Sequence, residues 1–266
     1  GPGSGIGIIN GMATVDYVTS RVYFTSHENP AGSNSTLWCL QLGPPGPVFT
    51  KVWDRPLGDI VGSPVVSNGR VYVGSTNAGG TVYSINAATG AAVDDRTFVH
   101  GDGPVKGFVW PDRSSGDLYF ATNGLVWGIT DTGAASMPDK FGGGISLGAG
   151  VKPSAVLFWP GSHYLYIGGT NGSLHQIDVL GGPLEAVTLG DGQAVAGAPS
   201  LDGGFDLIHL GTEAGIFYAV DVPLTPGATC VEAVSCNSLN IGQACYGGLP
   251  AECSTKTCLS PGVCGP

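Results

Sequence analysis

Positive charge is what this sequence has least of. Ten Lys plus Arg stand against 20 Asp plus Glu in 266 residues, and charged residues total 11%, where an average soluble domain carries roughly a quarter. The cations are scattered singly, so no basic stripe exists to neutralise phosphates, and nucleic acid is not expected as a partner. No apolar run approaches the roughly 20 residues that cross a bilayer as a helix, so no transmembrane segment is expected. No charged-then-apolar leader stands at the start, and the chain reads as soluble and already processed. The sequence also lacks a C-x-x-C-H haem attachment, and none of its cysteines has a His at zinc-ligand spacing. Gly5-Ile6-Gly7 and Gly142-Gly143-Gly144 precede no helical pattern and no Lys-Ser/Thr follows them, which removes the phosphate-loop reading.

Glycine is abundant, at 46 residues, and most of the acids are Asp, the turn-forming acid. Both follow from a chain that turns often. Tyr23, Tyr72, Tyr119, Tyr166 and His209 hold one column, spaced by 49, 47, 47 and 43 residues. A period in the forties, with short strands and glycine turns, predicts an all-β β-propeller of four-stranded antiparallel blades. The clearest repeat predicts strands over 63–67, 70–75 and 81–87, a hairpin turn at Asn68-Gly69, and a fourth strand over 92–98. The other third strands are expected at 36–42, 125–131, 173–179 and 216–222.

Within those third strands Leu37, Val82, Val126, Leu174 and Phe217 share one column, and Leu40, Ile85, Ile129, Ile177 and Val220 another. An aromatic or His column (Trp38, Tyr83, Trp127, His175, Tyr218) alternates with a mostly small one (Cys39, Ser84, Gly128, Gln176, Ala219). Large residues on both faces predict sheets buried between neighbours, with the small column where sheets approach closely. The aromatics are expected to be core, Cys39 a buried free thiol, and His175 and His209 satisfied packing residues.

These residues resemble the pyrroloquinoline-quinone-type (PQQ-like) β-propeller repeat. The likeness is carried by Ser63-Pro64-Val65-Val66, by Gly69-Arg70-Val71-Tyr72-Val73-Gly74-Ser75 and by the run from Gly80 to Gly90, GTVYSINAATG. It covers about residues 5–230, with the second repeat matching best. The family's docking tryptophan is matched by Trp53, while the stretches near Phe98, Phe141 and Leu189 lack it. The resemblance implies a propeller of usually seven or eight blades. Catalytic members hold quinone with a calcium site and a catalytic Asp, and alcohol-oxidising members add a vicinal disulfide. No adjacent cysteine pair and no matching Glu, Asn and Asp set stand here, so a non-catalytic member is expected, with no catalytic residue and no cofactor.

Three parts are expected: residues 1–4, residues 5–229 with five repeats, and a tail over 230–266. Gly1-Pro2-Gly3-Ser4 looks like the scar of a cleaved tag, yet GPGSGIG also resembles the joining loops 101–107 and 191–197. If it is such a loop, the chain is a portion of a longer propeller; five contiguous blades are favoured slightly. In either case the first strand is expected to begin almost at residue 5. The tail carries Cys230, Cys236, Cys245, Cys253, Cys258 and Cys264. With no His among them they are read as three disulfides in any of fifteen pairings, which places the protein outside the cytosol: extracellular, cell-surface or periplasmic.

The candidate metal residues are Asp59, Asp102 and Asp191, each in a Gly-Asp step of a joining loop, where converging carboxylates could hold Ca²⁺. Against this, each Asp is expected to accept backbone N–H groups in its own turn. Asn34 and Asn171 begin glycosylation sequons. The functional expectation is a non-catalytic scaffold that binds a protein partner or other blades of an assembly. The alternatives are a fragment of a quinoprotein enzyme completed by other blades, and a carbohydrate-binding adhesin using exposed Trp110 and Trp159.

Overall fold

The structure, a computed structural model, describes residues 6–27, 35–43, 48–58, 60, 62–151, 157–159, 161–225, 231–234, 258–260 and 263–264. Among the described residues the fold is all-β, with five four-stranded antiparallel sheets. The first contains β1 (Thr14–Asp16), β2 (Arg21–Ser26), β3 (Ser35–Gly43) and β4 (Val48–Gly58). The second contains β5 (Val65–Ser67), β6 (Arg70–Gly74), β7 (Thr81–Asn86) and β8 (Arg96–Val99), and the third β9 (Lys106–Pro111), β10 (Asp117–Ala121), β11 (Leu125–Thr130) and β12 (Ile145–Ser146). The fourth is built from β13 (Leu157–Phe158), β14 (Tyr164–Gly168), β15 (Ser173–Asp178) and β16 (Leu184–Thr188). The fifth holds β17 (Ser200–Asp202), β18 (Leu207–Gly211), β19 (Phe217–Asp221) and β20 (Val231–Val234). In each, the strands pair in sequence order and no sheet is closed. A two-stranded ribbon follows, β21 (Cys258–Ser260) with β22 (Val263–Cys264), in which Cys258 and Cys264 stand opposite one another in the backbone register. Cys230, Cys236, Cys245 and Cys253 lie outside the described residues.

The repeat columns become cross-strand pairs. Tyr23 faces Cys39, Tyr72 faces Ser84, Tyr119 faces Gly128, Tyr166 faces Gln176 and His209 faces Ala219. A large ring opposite a small side chain leaves room for the next sheet, as the alternation requires. At Gly128 the reason is direct, because a Cβ there would lie 2.7 Å from the Phe141 ring. The hairpin at Asn68-Gly69 forms with positive φ at both residues, 49° and 72°, the geometry that favours Asn-Gly in a two-residue turn.

Two boundaries differ from the sequence reading. The fourth strand of the second sheet begins at Arg96, because Ala92–Asp94 forms a single 3₁₀ turn. Arg70 Nη2 donates to the Asp94 carbonyl (2.7 Å) and Asn86 Nδ2 to the Asp94 carboxylate (3.1 Å), which holds the turn away from the ladder. The first strand begins at Thr14, not near residue 5. Instead Ile8 bridges His27, the residue after β2, just as Val195 bridges Thr212, the residue after β18. Residues around Ile8 thus take the place of a joining loop.

The chain divides into two compact units, residues 1–145 and 146–266. In the first unit the cores lie between successive sheets. Tyr23, Leu37, Cys39 and Trp53 of the first sheet pack with Val71, Val73 and Ile85 of the second. Tyr72 and Val82 pack in turn with Leu118, Phe120, Trp127 and Ile129 of the third. Trp53 behaves as a docking tryptophan: its Nε1 donates to the Ala87 carbonyl (3.1 Å) and its ring covers Gly90. In the second unit Tyr166, Leu174, Ile177, Ile208, Leu210 and Val220 are buried. Cys39 is a buried free thiol whose pKa is pushed up by burial.

Candidate functional site

The Gly-Asp steps resolve into staples between sheets. Asp102 accepts a hydrogen bond from the Thr122 hydroxyl of the third sheet, while Val105 N–H donates to the Ser75 carbonyl of the second (2.9 Å). The same pair of bonds recurs in the second unit, where Asp191 accepts from Thr212 and Val195 N–H donates to Gly169 (3.1 Å). Asp191 also takes the Gln193 N–H of its own turn (3.1 Å), whereas the Asp102 backbone N–H donates to His100 Nδ1 (3.3 Å). Asp59 lies outside the described residues. Among the described residues no three His, Cys, Asp or Glu side chains converge.

The tyrosine column has a second task. Besides filling the core, Tyr23 donates to the Ala87 carbonyl of the next sheet (3.2 Å) and Tyr72 to Asp131 of the next (3.1 Å). Tyr166 donates to Gln176 (2.8 Å), which in turn accepts Leu224 N–H from the following sheet (2.7 Å). Asp131 is also bound by Ser84 (2.8 Å) and paired with Arg96. Burial pushes the Asp131 pKa up, but these partners outweigh it and hold the carboxyl below the usual range. Asp117 is held down in the same way by Lys140 (2.7 Å) and Thr130 (2.6 Å) against its own burial.

The histidines fall short of the expectation that they would be satisfied. Both His175 ring nitrogens and His209 Nδ1 are sealed from solvent without a hydrogen-bond partner. Burial lowers the His175 pKa, so the ring is kept neutral. His209 stacks on Phe217, with ring centroids 5.7 Å apart and planes 6° from parallel.

The feature best suited to binding lies at the hairpin tips of the first unit, where a groove of about 490 Å³ is lined from three successive sheets. The first tip, after β1, presents Tyr17 and Val18, 88% and 95% exposed. It is shaped by Asp16, which accepts the Val18 N–H (3.0 Å) and the Thr19 hydroxyl (2.7 Å); the Thr19 bond leads in holding its pKa low. The second tip is the Asn68-Gly69 turn, with Val66 and Ser67 beneath it. Ser67 is 5% exposed, and its hydroxyl has no hydrogen-bond partner, a desolvation cost of about 1–3 kcal/mol. The third tip, after β9, holds Asp112 inward on Ser114 (2.9 and 2.7 Å) and Ser115 (2.7 Å) and leaves Arg113 exposed in the groove lining. Sequence reasoning missed this groove. Its signal was an apolar Tyr-Val pair in a hairpin turn, where polar residues are usual.

The aromatics proposed for glycan contact are less open than expected. Trp110 is half-buried beside Phe108 (5.5 Å), and Trp159 is half-buried against Tyr166 (6.5 Å). Trp159 does line a shallow 380 Å³ pocket with His163, Tyr164 and Pro223, and His163 Nε2 lies 3.8 Å from Asp178. Asn171 of the second sequon is exposed in the turn before β15, and Asn34 lies outside the described residues.

Successive four-stranded antiparallel sheets, stapled first to second and second to third in one unit and fourth to fifth in the other, define the β-propeller class of fold, and solved structures bear this out. BamB from Moraxella catarrhalis is similar with a TM-score of 0.54 at 15% identity, over 81% of this chain and 62% of that one. Sqt1 from Saccharomyces cerevisiae is similar with a TM-score of 0.57 at 14% identity, over 76% of this chain and 56% of that one. The first is a PQQ-like propeller and the second a WD40 propeller, so the likeness carries the fold and does not choose between them. The chain spans about three fifths of the length of these structures. No protein-family model and no curated protein matches it. No helix among the described residues is long and apolar enough to cross a membrane.

Proposed function

We propose that the protein is a non-catalytic propeller scaffold of the PQQ-like type that seats a protein partner in the groove at its hairpin tips. The observation that carries this is the Tyr17-Val18 turn, two large side chains held out in water by a capped turn and flanked by two further tips. Exposed apolar surface beside a polar rim is the pattern of interaction sites. Asp102 and Asp191, the described joining-loop carboxylates among the candidates for a metal, have threonine partners, which supports a structural role for these two. The dense cysteines of the tail, read as three disulfides, support a place at the cell surface, in the periplasm or outside the cell.

The test is capture from surface extracts of the source organism. Wild-type protein is expected to retain a saturable partner, and the double variant Tyr17→Ser/Val18→Ser to lose it while keeping its dichroism spectrum. Equal retention by both would remove the groove from the reading, and no partner at all would count against the scaffold. A second reading, a glycan-binding adhesin, draws on the pocket of Trp159, Tyr164 and His163 near Asp178. There glycan-array binding that vanishes in Trp159→Ala, and survives the tip variant, is the expected signature.

A further inference from the structure

Alternation along the strands gives each sheet two faces of different composition. One bears the tyrosine column with Leu or Val of the third strand, as Tyr72 and Val82 do in the second sheet. The other bears the residues that flank them, as Leu118, Phe120, Trp127 and Ile129 do in the third. In the first unit the tyrosine face of one sheet packs on the flanking face of the next, first on second and second on third. By register, the equivalent flanking face of the first sheet is Val22, Phe24, Trp38 and Leu40, and the equivalent tyrosine face of the fifth is His209, Phe217 and Ala219.

Exposure along the columns singles out these two faces. Ile85, Ile129, Ile177 and Val220, at the position of Leu40, are at most 2% exposed, and Val71, Leu118, Leu165 and Ile208, at the position of Val22, at most 1%. Val22, Leu40 and Trp38 of the first sheet are only half-buried. On the tyrosine face Tyr23, Tyr72, Tyr119 and Tyr166 are all buried, while His209 at their position is half-buried and Phe217 beside it is 41% exposed. Each of the two faces carries a stacked aromatic pair. Phe24 lies on Trp38 with centroids 6.3 Å apart and planes 11° from parallel, and His209 lies on Phe217 at 5.7 Å and 6°. Aromatic rings are the usual anchors of an interface.

These are the two halves of the joint that the fold builds twice inside the first unit, one half on the first sheet and one on the fifth. A second copy of the chain therefore brings what each face needs. We propose that the fifth sheet of one copy packs its tyrosine face, with Phe217 and His209, on the flanking face of the first sheet of the next copy, with Val22, Trp38 and Leu40. The contact is head-to-tail, since it joins two different surfaces of the same chain. Charged groups lie at its margins. On the first sheet Lys51, over the Trp38 ring (5.9 Å), pairs with Asp54 and is 58% exposed, so it keeps its charge in water. On the fifth, Asp202 and Asp221 stand in the end row of the ladder, beside Leu207, where other sheets also carry polar residues such as Asn86 and Thr130.

The experiment follows the mass of the whole protein by sedimentation equilibrium from about 1 to 500 μM, the range of weak contacts. Wild type is expected to associate as concentration rises. Phe217→Asp and Trp38→Gln should each weaken association about 10-fold or more, as loss of an aromatic anchor does. Their equimolar mixture should form a one-to-one dimer and nothing larger, because each variant keeps the face that the other has lost. Val22→Thr/Leu40→Thr, which keeps strand-forming side chains, serves as the flanking-face variant if Trp38→Gln alters the dichroism spectrum. Raising salt should tighten the association, because chains of net charge −10 repel one another across an apolar joint. A wild type that stays monomeric throughout overturns the second copy as occupant of these faces. Association that survives either variant, that salt weakens, or that the mixture fails to restore overturns it as well.

Discussion

His175 holds a place that the other repeats give to Trp38, Tyr83, Trp127 and Tyr218, and it pays for the exchange with two unpartnered ring nitrogens. Burial lowers the pKa of His175 below the ordinary value of about 6.5. His100 is lowered by burial too, with Asp102 countering. A group whose folded pKa is depressed binds protons first in the unfolded chain. Stability from these rings is therefore full above pH of about 6.5 and declines as pH falls below it, until the folded rings protonate as well. His175→Phe is expected to flatten that decline, with a urea midpoint at least equal to wild type at pH 5.5 and a smaller difference at pH 8. Asp131 and Asp117 act in a lower window, since their depressed folded values make their contribution full above pH of about 4 and lost as pH falls from there. Tyr72→Phe, which removes one donor to the Asp131 carboxylate, is expected to cost about 1–3 kcal/mol in urea denaturation at pH 7.

At the scale of the element, the recurrent unit is a sheet plus the staple that ties it to the next. Gly168 ends β14 where Val195 of the joining loop presses on it, and Gly74 meets Val105 in the same way. A methyl at either glycine collides with the valine. Gly168→Ala is expected to destabilise by about 1–3 kcal/mol, and Val195→Ala added to it should recover part of the loss by thermal unfolding. The third-strand column makes a sharper comparison. Leu37, Val82, Val126 and Leu174 are fully buried, while Phe217, the same position in the fifth sheet, is 41% exposed. Leu174→Ala should cost about 2–5 kcal/mol and Phe217→Ala clearly less, despite the larger side chain removed. The sequence showed the column, because period and alternation are local. It did not show that one member is uncovered, because coverage depends on what packs against the sheet.

For the whole molecule, a far-ultraviolet dichroism spectrum is expected to be β-rich with negligible helix, since the helical content of the described residues is one 3₁₀ turn. The Tyr column, the Asn68-Gly69 hairpin, the docking Trp53 and the buried thiol of Cys39 were all legible in advance. Each depends on side-chain size, turn chemistry or a fixed offset along the chain. The late start of the first sheet at Thr14 was not legible, because Ile8 and Thr14 lie in extended backbone that local pattern does not divide into joining loop and strand. The roles of the joining-loop acids were half legible: Asp191 does take a backbone N–H of its own turn, but its threonine partner stands 21 residues away in the next sheet. The groove was invisible for the same reason on a larger scale, since Tyr17, Ser67 and Arg113 come from three turns about 50 residues apart. The sequence by itself determined a repeating antiparallel sheet, because periodicity and turn residues act within one repeat. Only the tertiary structure decided which polar groups are satisfied, which faces are covered and which tips meet, because those depend on the distances between repeats.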